Sequence, residues 1–166
     1  MKIVLSESQY TRLIETEEEQ KVLRIPSLKI FDDDWYALQK FLELKGNPPY
    51  SISGDLSLRQ TQVKSLGNLQ SVGGGLYLTN TPIKSLGNLQ SVGGDLYLYK
   101  TPLESLGNLQ SVGGDLNLIG TQVKSLGDLQ SVGVNLFLRD TPISKKYSEQ
   151  EIRQMVNVGG KIFFEL

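Results

Sequence analysis

The chain has 166 residues, 39% hydrophobic and 21% charged, with a formal net charge of −1. That composition is globular rather than disordered, and the charge balance offers no general attraction to nucleic acid or to an anionic membrane. Cysteine and histidine are both absent, which excludes disulfides, thiolate metal sites, and the commonest general base and metal ligand.

The first segment, Met1-Lys2-Ile3-Val4-Leu5-Ser6-Glu7, turns polar too early for a secretory signal. No stretch approaches the ~20 apolar residues of a membrane span. Ser6 with Gln9 forms a capping-box pattern and predicts a helix with Tyr10, Leu13 and Ile14 on one face. Residues 22–31 read as extended chain broken at Pro26. Asp34 is placed to N-cap a second helix running to Lys45, with Trp35, Leu38, Phe41 and Leu42 on its apolar face and Gly46 ending it. Residues 1–50 are thus expected to form an N-terminal capping region with two helices.

Over 51–143 the chain repeats itself. Twenty-residue units begin at Gly54, Gly74, Gly94 and Gly114, and a fifth starts at Val134 and keeps Thr141-Pro142-Ile143 before diverging. In the first half of each unit, as at Leu56 and Leu58, apolar residues alternate with polar ones at the period of a strand. In the second half Val63, Leu66, Leu69 and Val72 follow at three-residue steps, which reads as a 3₁₀ turn or an extended arc. Gly73-Gly74 sits where the chain must swing into the next strand, in a backbone conformation open to glycine. One unit cannot bury its leucines alone; stacked units bury them in a continuous core.

This spacing resembles the leucine-rich repeat family, with Leu76, Leu78, Thr81, Ile83, Leu86, Leu89 and Val92 in register with its pattern. Two departures stand out. Thr61, Thr81, Thr101, Thr121 and Thr141 occupy the slot where the family has Asn, and Gly73, Gly93 and Gly113 replace the first Leu. The phrase from Leu89 to Leu98 is also similar to the receptor L-domain variant. Periodicity and resemblance, which covers residues 52–143, together predict an α+β repeat solenoid. Its leucine-rich-repeat-like parallel sheet has about six strands, with a helical N-terminal cap and a helix-containing C-terminal cap. The resemblance implies that the strand face is used for partners. Small capped forms with short repeats resemble products of bacteria and their phages; with no cysteine and no secretory signal, the expected location is the cytoplasm of a bacterial or phage-infected cell.

The C-terminal cap is expected over 144–166. Val158-Gly159-Gly160-Lys161-Ile162-Phe163-Phe164 aligns with the start of a repeat and predicts a sixth strand over 161–165. Ser148 with Glu151 is a capping box for a helix to about Asn157 that replaces the arc and covers the open end. A separate interaction helix is the alternative.

No phosphate loop or nucleophile elbow is present, so neither catalysis nor a cofactor or metal is expected. The Gly-Gly-Asp triplets suggest calcium, but the column Asp55, Gly75, Asp95, Asp115, Asn135 is broken twice; acids tipping strand entries is the plainer reading. The threonine column is expected to satisfy backbone groups at turns. An ice-binding array is the alternative, which Gln62 and Pro82 beside the threonines argue against.

What varies between units are the strand positions that point away from the core. From these we take Arg59, Tyr77, Asp95, Tyr97, Tyr99, Asp115, Asn117, Phe137, Arg139 and Phe163 as candidate partner-binding residues. Aromatics with nearby Arg and Asp have the composition of interface hot spots. Cross-strand aromatic pairs that only stabilise the sheet are the alternative, as is cover by the N-terminal segment. The expectation is a non-catalytic protein-binding module, an inhibitor or adaptor. The alternative is a structural or assembly component that docks through its caps or sheet edges. Tyrosines can stack bases, but the face lacks a basic track, so nucleic acid is not the expected partner.

Overall fold

Each repeat contributes two short strands, and the two halves of the repeat build separate sheets. The computed structural model describes residues 22–165; the helix expected around Tyr10, Leu13 and Ile14 lies outside them. One sheet, here sheet B, is the expected six-stranded parallel sheet: Leu56–Ser57, Leu76–Tyr77, Leu96–Tyr97, Leu116–Asn117, Leu136–Phe137 and Ile162–Phe163. The other, sheet A, has seven parallel strands: Leu23–Ile25, Tyr50–Ile52, Leu69–Val72, Ser91–Val92, Ser111–Val112, Ser131–Val132 and Asn157–Val158. We number six rungs from Tyr50, each pairing one A strand with the B strand that follows it.

Sheet A comes from the half of the repeat read as an arc. Its register is twenty residues: Val72 lies beside Val92 and Val92 beside Val112. Because the same residues recur on every rung, the backbone groups of that half find partners one rung away. Gln90 N donates to Gln70 O at 2.8 Å and Gln110 N to Gln90 O at 2.8 Å. Buried backbone groups must pair, and an in-register neighbour supplies the partner without a helix.

The corner between the sheets explains the glycines, and not in the way the sequence suggests. Gly73, Gly93, Gly113 and Gly133 do not have positive φ; among glycines that feature belongs to Gly46, Gly67, Gly87, Gly107, Gly120 and Gly127. Instead the backbones approach too closely for a side chain. A Cβ built on Gly93 would collide with Gly73 O, one on Gly113 with Gly93 O, and one on Gly133 with Gly113 O. The same approach lets Gly93 N donate to Val72 O and Gly113 N to Val92 O, both at 2.8 Å. The second corner position is more tolerant, since Val134 occupies it on rung 5, half exposed.

Inside the solenoid each full rung buries the same set, such as Leu76, Leu78, Ile83, Leu86, Leu89 and Val92. The threonine column is structural. The hydroxyls of Thr61, Thr81, Thr101, Thr121 and Thr141 each donate to the carbonyl of the leucine three residues earlier. Four of them, Thr81, Thr101, Thr121 and Thr141, are at most 2% exposed, so this column presents no array to ice.

At the N-terminal end Leu23–Ile25 adds to sheet A, and after Pro26 the chain enters a 3₁₀ turn, Leu28–Phe31, capped by Ser27. The extended reading of 22–31 therefore holds only for its first half. Helix α1, Trp35–Leu44, starts at Asp34, whose carboxylate accepts from Tyr36 N and Ala37 N at 2.8 and 3.1 Å. Trp35, Leu38, Phe41 and Leu42 close the core as expected. Tyr50 carries the contact from cap to rung 1: its hydroxyl donates to Leu66 O at 2.7 Å and accepts from Gln39 Nε2 at 3.3 Å. Burial pushes its phenol well above the ordinary tyrosine pKa, with the Gln39 hydrogen bond opposing in part.

The C-terminal end has a further device. Helix α2, Glu149–Met155, opens on the Ser148–Glu151 capping box, and Ile152 fills the core. Its Arg153 donates from Nη1 to Val158 O at 3.2 Å and from Nη2 to Gly160 O at 3.0 Å. One rung earlier the equivalent carbonyls, Val132 O and Val134 O, accept from Gly159 N and Gly160 N at 2.9 and 2.7 Å. The guanidinium therefore stands in for the two corner amides of a following rung. Glu149 holds it in place through Oε1, 2.9 Å from Arg153 Nε.

Two predictions follow from the corner and the cap. Gly113→Ala is expected to lower stability by about 3 kcal/mol or more, as severe overpacking does, in urea unfolding. Gly87→Ala, where φ is +60° and the nearest atom is 3.5 Å away, is expected to cost only the left-handed strain of roughly 1–2 kcal/mol. Arg153→Ala is expected to speed amide exchange at Gly159 and Gly160 about ten- to hundredfold, the worth of a charged hydrogen bond. Exchange at Gly93 and Gly113 should not change.

Candidate binding face

The outer side of sheet B carries three columns of side chains along the solenoid, fixed by the register that pairs Leu56 with Leu76, Leu76 with Leu96, Leu96 with Leu116, Leu116 with Leu136, and Leu136 with Ile162. Between the two apolar positions of each strand run Ser57, Tyr77, Tyr97, Asn117, Phe137 and Phe163. Before them run Asp55, Gly75, Asp95, Asp115, Asn135 and Lys161. After them run Arg59, Thr79, Tyr99, Ile119, Arg139 and Glu165.

The central column forms two aromatic stacks rather than one band. Tyr77 and Tyr97 lie 5.6 Å apart at 21°, and Phe137 and Phe163 lie 4.8 Å apart at 9°. Asn117 separates them; its Oδ1 accepts from Ile119 N on the same strand at 3.1 Å. Arg59 closes the first stack, its guanidinium 4.3 Å from the Tyr77 ring centroid. Tyr99 stands in the neighbouring column, with Lys100 Nζ 5.0 Å from its ring. All four stacked rings are half-buried, so the stacks stabilise the sheet and still offer surface to a partner.

The acidic column is partly committed to the fold. Asp55 Oδ1 accepts from Gly75 N at 2.7 Å, Asp95 Oδ1 from Asp115 N at 2.8 Å, and Asp115 Oδ1 from Asn135 N at 2.9 Å. Asn135 continues the ladder to Lys161 N at 3.0 Å. Thus Asp95 and Asp115 tip strand entries, as the plainer sequence reading has it. At the break the Tyr77 ring leans back over the acidic column into the space that Gly75 leaves: a Cβ there would lie 2.5 Å from the Tyr77 hydroxyl. Neither the lean nor the Arg59 cap carries a signal in the sequence, since rung 3 combines Asp95 with Tyr97.

Electrostatics follow the lean. Burial, then the carboxylates of Asp95 and Asp115, push the Tyr97 phenol up, and Arg59 offsets part of this. Tyr97 therefore remains a hydrogen-bond donor through the physiological range. In the third column, Arg139 Nε is buried without an acceptor in hydrogen-bond geometry; Asp140 Oδ2 lies 3.5 Å away, close enough for charge attraction only.

An open groove of about 360 Å³ runs along sheet A over Ser71, Gly73, Ser91, Gly93, Ser111 and Gly113. A second of about 320 Å³ lies between helix α1 and rung 1, beside Gln39, Tyr50 and Gly67. No helix among the described residues is long and apolar enough to cross a membrane. No family model, no curated protein and no solved structure matches the chain.

The acidic column can be checked through Tyr97. Its ring is expected to titrate above the ordinary value of 10 in a pH series of ¹³C-tyrosine NMR spectra. Asp95→Asn keeps the Oδ1 acceptor and removes one charge, so it should bring that titration down while burial keeps it above the ordinary value.

Proposed function

We propose that the chain is a non-catalytic protein-binding module that presents the outer face of sheet B to a protein partner, in the manner of an inhibitor or adaptor. The contrast between its two sheets carries this reading. Sheet A repeats Ser and Gly outside on rung after rung, as at Ser71, Gly73, Ser91 and Gly93, whereas no two rungs of sheet B present the same set of three outer residues. A scaffold keeps its shape constant and varies only what it shows a partner. The varied set is Tyr, Phe, Arg and Asp, the residues that dominate interface energetics. The twenty-residue spacing and the parallel strands support a leucine-rich-repeat-like solenoid; the bacterial or phage origin and the cytoplasmic location belong to the proposal and rest on the short capped form and the absence of cysteine.

The reading is tested by photo-crosslinking in the native host. A benzophenone side chain in place of Tyr99 is expected to label one discrete protein species, and the same group in place of Ser91 on sheet A is not. Tyr97→Ala in the Tyr99-labelled chain should cut the yield about tenfold or more, as loss of a hot spot does. Equal labelling from both sheets would contradict the proposal.

A second reading, assembly through sheet edges, is favoured by one observation. In the register of sheet B, Lys161 on the last strand continues the column that begins at Asp55, and Glu165 the column that begins at Arg59. The two end strands of sheet B thus carry opposite charges in matching order. If copies stack end to end, sedimentation should show concentration-dependent growth. Glu165→Arg should abolish that growth, and mixing it with Arg59→Glu should restore one heterologous contact.

A further inference from the structure

The aromatic column of sheet B lacks one ring. Tyr97 on rung 3 and Phe137 on rung 5 flank Asn117 on rung 4, in register. Adjacent strands lie about 4.8 Å apart, so these rings are separated by roughly 9.6 Å. The existing stacks, at 5.6 and 4.8 Å, show that each rung step takes one ring. The gap therefore has the thickness of one planar group. Asn117 supplies no ring there, and its Oδ1 is drawn to Ile119 N two residues on.

The flanks select the occupant. On one side stand Asp115 and, a rung below, Asp95. Each commits Oδ1 to the next rung's backbone, and among the described residues neither Oδ2 takes a hydrogen bond. Their field is felt at the Tyr97 phenol, whose ionisation both oppose. On the other side is Ile119, 9% exposed and apolar. A neutral aromatic group would use the two rings and leave the carboxylates uncompensated. A lysine ammonium would answer the charge but is not flat. A guanidinium is planar and cationic, stacks on ring faces, and donates to carboxylates in the same plane. The chain already holds one such arrangement, Arg59 on the opposite end of the Tyr77–Tyr97 stack.

We infer that the gap at Asn117 is a slot for a single arginine side chain of the protein partner, sandwiched between Tyr97 and Phe137 with its guanidinium against Asp115. This rests on the reading of sheet B as the partner-binding face.

The test uses the full chain and short peptides followed by NMR. Acetyl-Gly-Arg-Gly-amide is expected to shift the Asn117 and Tyr97 resonances saturably. The citrulline peptide, equal in shape but uncharged, should bind at least about tenfold more weakly, the scale of one charged hydrogen bond. Asn117→Tyr, which completes the column with its own ring, should abolish the shifts while resonances of rungs 1 and 2 stay in place. Asn117→Ser, which leaves the slot open, should keep them. Equal binding of citrulline, tighter binding of acetyl-Gly-Trp-Gly-amide as a neutral aromatic control, retained binding in Asn117→Tyr, loss in Asn117→Ser, or no shift with the arginine peptide would each overturn the slot. The crosslink from position 99 does not depend on the slot, so a failed slot with intact crosslinking leaves the binding face standing, and the reverse result would remove the face.

Discussion

Backbone crosses backbone at the glycine corner, and the rest of the molecule is arranged around that contact. Where Gly93 passes over Gly73, and Gly113 over Gly93, there is no room for a Cβ, and the released space is used for hydrogen bonds to Val72 O and Val92 O. Those bonds set the rise from rung to rung at the spacing of a parallel ladder. Once the corner is pinned, the strands on both sides of it fall into register, so the repeat builds two sheets instead of one. Leucines then stack on leucines inside, and each threonine hydroxyl closes the turn that leaves sheet B.

The same constraint divides the surface. Outside sheet A the corner glycines and short serines leave a groove with little chemistry to vary. Outside sheet B the first column is half-committed to a carboxylate–amide ladder, and the central and third columns carry the larger side chains. Those two columns hold the aromatic stacks, Arg59, Tyr99 and Arg139. The ends are handled separately: α1 and Tyr50 close the first rung, and the Arg153 guanidinium donates to the carbonyls that the amides of a further rung would have met. A stack whose carbonyl edge is answered by a side chain has less tendency to grow.

Much of this is legible in the sequence where the signal is local. The capping residues Asp34, Ser148 and Glu151, the repeat itself and the last strand around Ile162 are all set by neighbours a few residues away, or by plain self-similarity. The second sheet is not legible, because Val63, Leu66, Leu69 and Val72 show no strand alternation and their partners lie twenty residues off. The sequence points to dihedral freedom at Gly73, whereas the structure makes that glycine a matter of distance. The left-handed turns fall elsewhere, on Gly67, Gly87, Gly107, Gly120 and Gly127 and on the non-glycine residues Gln60, Asn80, Lys100 and Asp140. For the candidate face, column membership could be read from alternation. What could not be read is how side chains lean within a column: Tyr77 over Gly75, Arg59 over Tyr77, and Asn117 toward Ile119 N.

Hydrogen bonds at the corner can be observed directly. Trans-hydrogen-bond scalar couplings in a ¹⁵N,¹³C-labelled sample should connect Gly93 N to the Val72 carbonyl carbon and Gly113 N to that of Val92, alongside Leu76 N to that of Asp95 in sheet B. Couplings at both kinds of position are the expected result. Couplings from Leu76 without any from Gly93 and Gly113 would mean a single-sheet solenoid with an unpaired arc, and would contradict the account.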